Sequence, residues 1–547
     1  MRRIALLALL ASTASVSPAF AAPDDVYTLG ELQVTARTRS GELIGGSVVS
    51  GEDMRRFDKF SVERALDLVP GAVAGNSGGS RNERLIFIRG FDRFQTTLSI
   101  DGVRVFLPAD NRIDFGRFLT ADLSEIQVSK GYVSVLDGPG GLGGAINLVT
   151  RKPTSALDGE VRVGVGLDGD GGLGGSTVSG RVGTRQDLFY LQVSGAKSDR
   201  DHFSLSDDFK PTSLENGGKR EHSDSDDWRI NLKAGLTPND TDEYSLNFTR
   251  QEGSKNAPYH VSDTASTRYW TWPYWNIDSL AFLSSTQIAE RATLRMRLYR
   301  NTFENGLYSY DNASQQTQTL GRAFRSYYDD VAYGGNLQLD VGLTDTNTLR
   351  TAAYYRKDRH VEWQQTFAPA LTEPRQTTTE TSGSFALEDT QHVGENLDLV
   401  VGVSYDWRHL IMAQDYNAGQ FVFYPLTDDD AWNWQAAAKW RLSDTSGLHA
   451  SISSRSRFPT LFERYSSRFG TAIPNPNVKP ERATSVEIGG ETQVSRVNLS
   501  GAVFYSDLKD ALIQIPVQLG PPFGTVGQTR NAGDGEYYGA EIAVSAA

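Results

Sequence analysis

From about residue 158 to the end, polar and apolar side chains alternate with a period of two. Trp228, Ile230, Leu232, Ala234 and Leu236 interleave with Arg229, Asn231, Lys233 and Gly235. Leu294, Met296 and Leu298 interleave with Arg295, Arg297 and Tyr299, and Leu397, Leu399, Val401, Val403, Tyr405 and Trp407 repeat the pattern. A period of two marks β-strand. One apolar face and one face of Arg, Lys and Asn suits a sheet standing between lipid and a wet lumen, although a soluble sandwich alternates in the same way. Connection lengths separate the two. About sixteen strands are expected between Glu160 and Val544. Every second connection is short: Thr184 to Asp187, Thr237 to Asp242, Ala289 to Arg291, Thr344 to Asn347, Val393 to Asn396, Ser443 to Gly447 and Gln493 to Arg496. The intervening ones are long: Asp199 to Asp226, Gly253 to Asn276, Glu304 to Asp330, Arg359 to Thr377, Met412 to Asp430, Ser456 to Arg482 and Lys509 to Glu536; Asp168 to Gly175 is a short exception. Strict alternation of short and long turns places them at opposite ends of an up-and-down membrane barrel.

Residues 41–153 are patterned differently. Val62, Ala65, Leu66 and Val69 share one helical face, and Pro70-Gly71 ends the run. Leu85 to Ile88, Thr97 to Ile100, Ile126 to Ser129 and Ala145 to Thr150 read as short strands, with Asp101-Gly102 as a turn. The Gly-rich run from Gly138 to Gly144 has no GK[ST] and feeds a strand rather than a helix, so it is not a phosphate cradle. The pattern is that of a small mixed α/β domain, either beside the sheet or within it.

Met1-Arg2-Arg3, the apolar run from Ile4 to Ala11 and Ala19-Phe20-Ala21 form a secretory signal, with cleavage expected after Ala21. Residues 22–40 are a polar lead in which Gly30 to Arg37 is extended and β-prone, either a flexible arm or a strand offered to a partner's sheet edge. The chain has no cysteine, which removes disulfides and thiol chemistry, and its net charge of −13 argues against nucleic acid. No later stretch is apolar for long enough to form a spanning helix. Seven scattered His, with no HExxH and no GxSxG, give no support for an enzyme.

Several strings together resemble the TonB-dependent outer-membrane receptors: ELQVTA at Glu31 to Ala36, IRGF at Ile88 to Phe91, IDGVRV at Ile100 to Val105, KGYVSVLDGPGGLGGAINLVTRKP at Lys130 to Pro153, RFPTLFERY at Arg457 to Tyr465, NPNVKPERATSVEIG at Asn475 to Gly489 and NAGDGEYYGAEI at Asn531 to Ile542. The stretch from Tyr132 to Gly138 departs from the family's usual Gly-Pro and Tyr-Gly spacing. The resemblance implies a transmembrane antiparallel β-barrel with residues 41–153 as a plug inside the lumen and the barrel from 158 to 547. It implies a TonB box at Glu31, Leu32, Gln33, Val34, Thr35 and Ala36. The family barrel has twenty-two strands and usually a terminal aromatic residue, whereas this chain stops at Ala546-Ala547. Truncation at the C-terminus is therefore the expectation.

The implied activity is TonB-driven uptake of a scarce ligand across the bacterial outer membrane, by a monomer with no cofactor. Its partners would be TonB, outer-membrane lipid and a small metal chelate. Plug apices at Asn76 to Arg84 and Phe106 to Arg112 offer Arg81, Arg84, Asp110 and Arg112 as ligand contacts, since Arg binds carboxylate or catecholate bidentately. The alternative is that these Arg pair with the barrel wall. Arg89 is expected to join plug and barrel. Arg229, Lys233, Arg295 and Arg297 can meet a polar plug surface. The aromatic stretch Tyr269, Trp270, Trp272 and Trp275 could stack on a ligand or form the outer aromatic girdle. Asp224, Asp226, Asp227 and Asp428 to Asp430 are solvated loop acids or Ca²⁺ ligands. No His lies between the RFP and NPN strings, which disfavours haem. A ferric siderophore leads; cobalamin, another metal chelate, an oligosaccharide, a passive porin and an adhesin are the alternatives.

Overall fold

A computed structural model describes residues 27–31, 44–76, 81–169, 171–261, 267–466, 471–520 and 524–546. The signal segment and Leu32 to Ala36 lie outside the described residues.

The N-terminal domain holds β1 (Ser47–Ser50), α1 (Gly51–Arg56), α2 (Val62–Leu66), β2 (Ala72–Asn76), β3 (Arg84–Ile88), β4 (Thr96–Ile100), β5 (Val103–Val105), β6 (Leu123–Lys130) and β7 (Gly144–Thr150). One sheet runs β1-β6-β7-β4-β5, and β2 pairs separately with β3. Within this sheet β4 and β7 pair in parallel. The β7 string GAINLVT is buried throughout, so it shows no alternation, as a strand covered on both faces requires. At the start of α1 the Ser50 hydroxyl accepts the Asp53 N–H at 3.0 Å, with Glu52 and Asp53 in the first turn. Helix α2 stops at Leu66, earlier than its apolar pattern suggests; Val69 is still buried, carried by the turn before Pro70. Val62, Leu66, Ile86, Ile88, Phe118, Ile126, Val128, Ile146 and Leu148 build the core.

Sixteen long antiparallel strands follow: Asp158–Leu167, Leu173–Arg185, Phe189–Arg200, Ser225–Leu236, Glu243–Asn256, Trp270–Ala289, Ala292–Ser309, Phe324–Thr344, Asn347–Phe367, Gln376–Val393, Leu397–Asn417, Asp428–Ser443, Ser446–Arg457, Glu481–Val494, Val497–Lys509 and Gly535–Ala546. Two short hairpin strands, Ala370–Thr372 and Gln420–Phe423, extend the same sheet. The sheet wraps the N-terminal domain, which therefore sits inside it as a plug. Ile230, Leu232 and Leu236 are exposed on the outside while Arg229, Asn231 and Lys233 are buried on the inside, so the alternation divides lipid side from lumen side.

Several long connections are shorter than expected. The segments Phe324–Thr344, Asn347–Phe367 and Leu397–Asn417 reach well into stretches read as loop. Beyond the membrane both faces of a strand meet water, so the apolar mark of a strand fades while the ladder continues.

Candidate functional site

The plug meets the wall through charge. Arg89 follows β3 in a turn with φ +50°, ahead of Gly90 at φ +92°, and this turn aims the guanidinium at the barrel. Gly90 carries no Cβ because Tyr537 occupies that space. Arg89 Nε donates to Glu541 Oε1 at 2.7 Å, and Nη1 bonds Glu487. Lys130 Nζ donates to Glu541 Oε2 at 2.7 Å, and His449 Nε2 lies 2.6 Å from Glu487 Oε1. Apart from the half-buried His449 these side chains are buried, and Phe504 covers the Arg89 guanidinium at 4.3 Å. Glu487 and Glu541 escaped the sequence reading, although parity marks them. Glu487 stands between outward Val486 and Ile488, and Glu541 beside outward Ile542, so each carboxylate must point inward.

The other inward charges divide. Arg229 lies 3.2 Å from Asp122 of the plug, Lys233 donates to the Arg151 carbonyl at 3.0 Å, and Arg297 donates to the Glu31 carbonyl at 2.7 Å. Arg295 instead pairs with Asp340 of the neighbouring strand, because a carboxylate on the wall itself is within reach. Glu31 is buried. The segment leading into it is a 3₁₀ turn, Thr28–Gly30, after which Glu31 has extended backbone, and Tyr27 packs on the Lys233 ammonium at 3.4 Å. Leu32 to Ala36 are outside the described residues.

At the long-loop end the two plug apices converge. Arg81 Nε donates to Glu83 Oε1 at 2.7 Å and Arg93 Nη2 to Glu83 Oε2 at 2.8 Å. Burial acts to raise the Glu83 carboxyl, but Arg81, Arg93 and Lys255 outweigh it and hold it well below its usual range. Arg112 Nε lies 3.2 Å from Asp110. Arg81 and Arg112 thus pair within the plug and not with wall carboxylates; a neighbouring plug acid two residues away was the nearer partner. Their contacts with the wall are aromatic: Arg81 lies over Trp272 at 5.4 Å and Arg112 over Phe462 at 4.7 Å. Arg84 lies over Phe203 at 4.9 Å.

The aromatic stretch is not a loop. Trp270, Trp272 and Trp275 open the Trp270–Ala289 strand, all three buried on the inner side. Simple alternation would send Trp275 outward. One extra residue between Thr271 and Tyr274, at Pro273, bulges the strand and flips the parity. Trp275 then packs edge-on against Phe118 of the plug at 6.0 Å and Phe303 at 5.4 Å. Tyr269 is half-buried against Tyr259 at 5.0 Å. The outer aromatic patch falls elsewhere, with Tyr327 against Tyr308 and stacked on Trp363 at 5.0 Å.

A second roof element was not anticipated. Helix α3 (Leu461–Tyr465) carries a capping box between Thr460 and Glu463 and reaches the plug, where Phe462 N–H donates to the Ala109 carbonyl at 2.8 Å. Buried arginines fix it: Arg464 donates to Glu380 at 2.7 Å, and Arg457 bridges Glu463 at 2.8 Å and Glu481 at 2.7 Å. The T-L-F-E string is the capping-box signature, visible in the sequence.

The acidic runs are dispersed among partners. Asp224 accepts from Asn256 at 2.8 Å, Asp226 lies 2.7 Å from Lys197, and Asp227 is a buried strand residue 3.3 Å from Arg117 of the plug. Asp428 pairs with His409 at 3.2 Å and Asp429 with Arg408. Asp226, Asp227 and Asp428 to Asp430 lie in strands, not loops. Alternation sends neighbouring acids to opposite faces, which is why they do not converge.

A family model described as TonB dependent receptor-like, beta-barrel matches residues 159–547, and the TonB-dependent Receptor Plug Domain model matches 45–145. Among curated relatives, the vitamin B12 transporter BtuB of Photobacterium profundum is 22% identical over 488 residues, spanning 87% of this chain and 69% of that protein. BtuB of Vibrio vulnificus is 23% identical over 528 residues, spanning 93% and 75%. Among solved structures, the copper transporter OprC has a TM-score of 0.75 at 16% identity, covering 92% of this chain and 78% of its own. The siderophore receptor PirA of Acinetobacter baumannii has a TM-score of 0.70 at 15% identity, with coverage of 92% and 78%.

Proposed function

The chain belongs to the TonB-dependent receptor family of bacterial outer-membrane transporters, and we propose that it draws an anionic metal chelate, a ferric siderophore, into the periplasm. The observation that carries this reading is the plug apex, where three guanidiniums, Arg81, Arg93 and Arg112, share two carboxylates, Glu83 and Asp110. The surplus positive charge and the flanking rings of Trp272 and Phe462 suit a flat, anionic ligand. Arg81 and Arg112 keep 28% and 20% side-chain exposure, enough for a ligand to reach them from the mouth. The proposed cycle involves no covalent chemistry. Ligand seats on the apices, TonB engages Glu31 to Ala36, and pulling there loosens the plug from its ion-paired wall.

Uptake of an iron-labelled catecholate chelate by cells carrying the full protein tests this. Uptake should need the proton gradient, stop on deletion of Glu31 to Ala36, and fall about ten-fold or more in the Arg81→Gln/Arg112→Gln variant. Uptake that survives the deletion would mean a passive pore, and an unchanged double variant would refute the anionic-chelate reading. Cobalamin is the second reading, favoured by the BtuB relatives. Labelled cyanocobalamin entering where ferric chelates do not would establish it.

A further inference from the structure

Most outward-facing charge near the long-loop end is paired. Lys197 meets Asp226 at 2.7 Å, Arg375 meets Asp329 at 3.0 Å, and Arg250 meets Asp278 at 3.6 Å. One group differs. Arg300, Lys357 and Arg359 are all exposed and carry no ion pair among the described residues. They form one patch. Tyr333 stands in register with Arg300 on one side and Lys357 on the other, and the Arg300 guanidinium lies over its ring at 5.9 Å. Arg359 is the next outward position above Lys357, in register with Val331. The nearby outward carboxylates do not neutralise them: Asp278 and Asp329 are held by Arg250 and Arg375, and Glu304 lies two outward positions above Arg300, opposite Asp329.

The height of the patch is informative. Lys357 stands ten residues above Asn347, where its strand begins at the short-turn end. That is roughly 33 Å of strand, or about 25 Å of height at the usual tilt, which is the height of an outer-membrane apolar band. Beneath it the outward residues are apolar but for Thr351: Leu294, Met296 and Leu298 on one strand, Leu337, Leu339 and Val341 on the next, Leu349, Ala353 and Tyr355 on the third. The three cations therefore sit at the external membrane interface, directly above a lipid-covered wall. A group that meets them from the membrane side is joined to acyl chains lying on that wall.

We propose that Arg300, Lys357 and Arg359 bind the phosphate groups of a phosphorylated lipid of the outer leaflet, with its acyl chains on the apolar rows below. A free phosphate would gain only the charges, whereas the lipid gains the wall as well. The test is binding of bisphosphorylated lipid A to the full chain in non-ionic detergent, followed by native mass spectrometry. Dephosphorylated lipid A and inorganic phosphate form the other arms. The Arg300→Gln/Lys357→Gln/Arg359→Gln variant should bind bisphosphorylated lipid about ten-fold or more weakly. Lys197→Gln, which removes a paired cation, and Lys357→Arg, which keeps the charge, should bind it as the parent protein does. Dephosphorylated lipid should bind parent and triple variant alike. Equal affinity of parent and triple variant for bisphosphorylated lipid would overturn the proposal, as would full displacement of that lipid by inorganic phosphate at matched concentration. Heat-modifiable gel mobility confirms that each variant is folded before it is compared.

Discussion

Replacing Arg89 by Gln should loosen the plug from the barrel without unfolding either. The guanidinium is the shared partner of Glu487 and Glu541, whose side chains are 4% and 8% exposed. It also donates to the Lys130 carbonyl at 3.3 Å. After substitution Glu541 keeps Lys130 and Glu487 keeps His449, but two carboxylates remain buried with half their compensation gone. Removing one partner of a buried ion pair costs about 3–5 kcal/mol. With a denaturant slope of about 1–3 kcal/mol per molar urea, undocking should shift to lower urea by roughly 2 M. The chain has no cysteine, so a single Ser134→Cys reporter is clean. Ser134 is fully buried and donates to Glu388 of the wall at 3.4 Å, so its thiol reacts with maleimide only when the plug leaves. Adding Glu487→Gln to Arg89→Gln should recover part of the loss, since one stranded carboxylate is then neutral while Glu541 keeps Lys130. A midpoint for Arg89→Gln within about 0.3 M of the parent would refute the idea that this cluster docks the plug.

The same assay checks three further expectations. Glu83→Gln should destabilise the apex by about 3 kcal/mol near neutral pH. The Glu83 carboxyl is held below its ordinary 4.5, so its contribution is complete above that value and is lost as pH falls through the lower folded value; the gap between parent and variant should therefore close under acid. Trp275→Ala should cost about 3–5 kcal/mol of plug docking, because the ring fills space between Phe118 and Phe303; lost uptake with unchanged docking would instead make it a ligand contact. Tyr27→Ala removes the ring seated on Lys233, and a Leu29→Cys reporter, buried in the parent, should become readily labelled. Unchanged labelling would mean that the Arg297 bonds and the Asn147 bond to the Gly30 carbonyl hold the segment without the ring.

Alternation made the barrel legible because each strand has one face in lipid and one in the lumen, and strand count and turn parity follow from that. The rule failed in two physical situations. Beyond the membrane both faces are wet, so the upper ends of Phe324–Thr344 and Leu397–Asn417, residues 324–330 and 412–417, look like loop. At Pro273 a single extra residue reverses the faces, and no count of apolar positions reveals where Trp275 points. The site was less legible for a related reason. Arg81 and Arg112 could be picked out as apex residues, but their partners two positions away, Glu83 and Asp110, decide how much of their charge is free. Glu487 and Glu541 lie far from Arg89 in sequence, and only their inward parity hints at a role.

The chemistry of the plug–wall contact bears on how such a plug can both seal and move. A seam of apolar side chains would gain about 25 cal/mol for every Å² buried, and a seam around a whole domain would then be too stable to part. This interface instead relies heavily on pairs such as Arg89 with Glu487, Arg117 with Asp227, Lys255 with Asp114 at 2.6 Å and Arg229 with Asp122. For each pair the attraction in place is offset by the hydration both ions regain on separation, so the net gain of docking is small while a mispaired register is heavily penalised. Such a contact is specific without being strong. Apolar contacts are interspersed with these pairs around the lumen: Phe118 against Trp275 and Phe303, Val103 against Ala281, Ile44 against Val400, Phe91 and Leu142 against Ala483 and Leu508, and Val135 and Leu136 against Ala352 and Ala386. Because ion pairs and apolar contacts are mixed, with Arg117 lying over Trp275 itself at 5.3 Å, the seam should part as one unit rather than swing on a hinge. Val103→Cys and Ser134→Cys reporters, buried against different parts of the wall, should then label at one urea midpoint, and two separated midpoints would show that the contacts part independently.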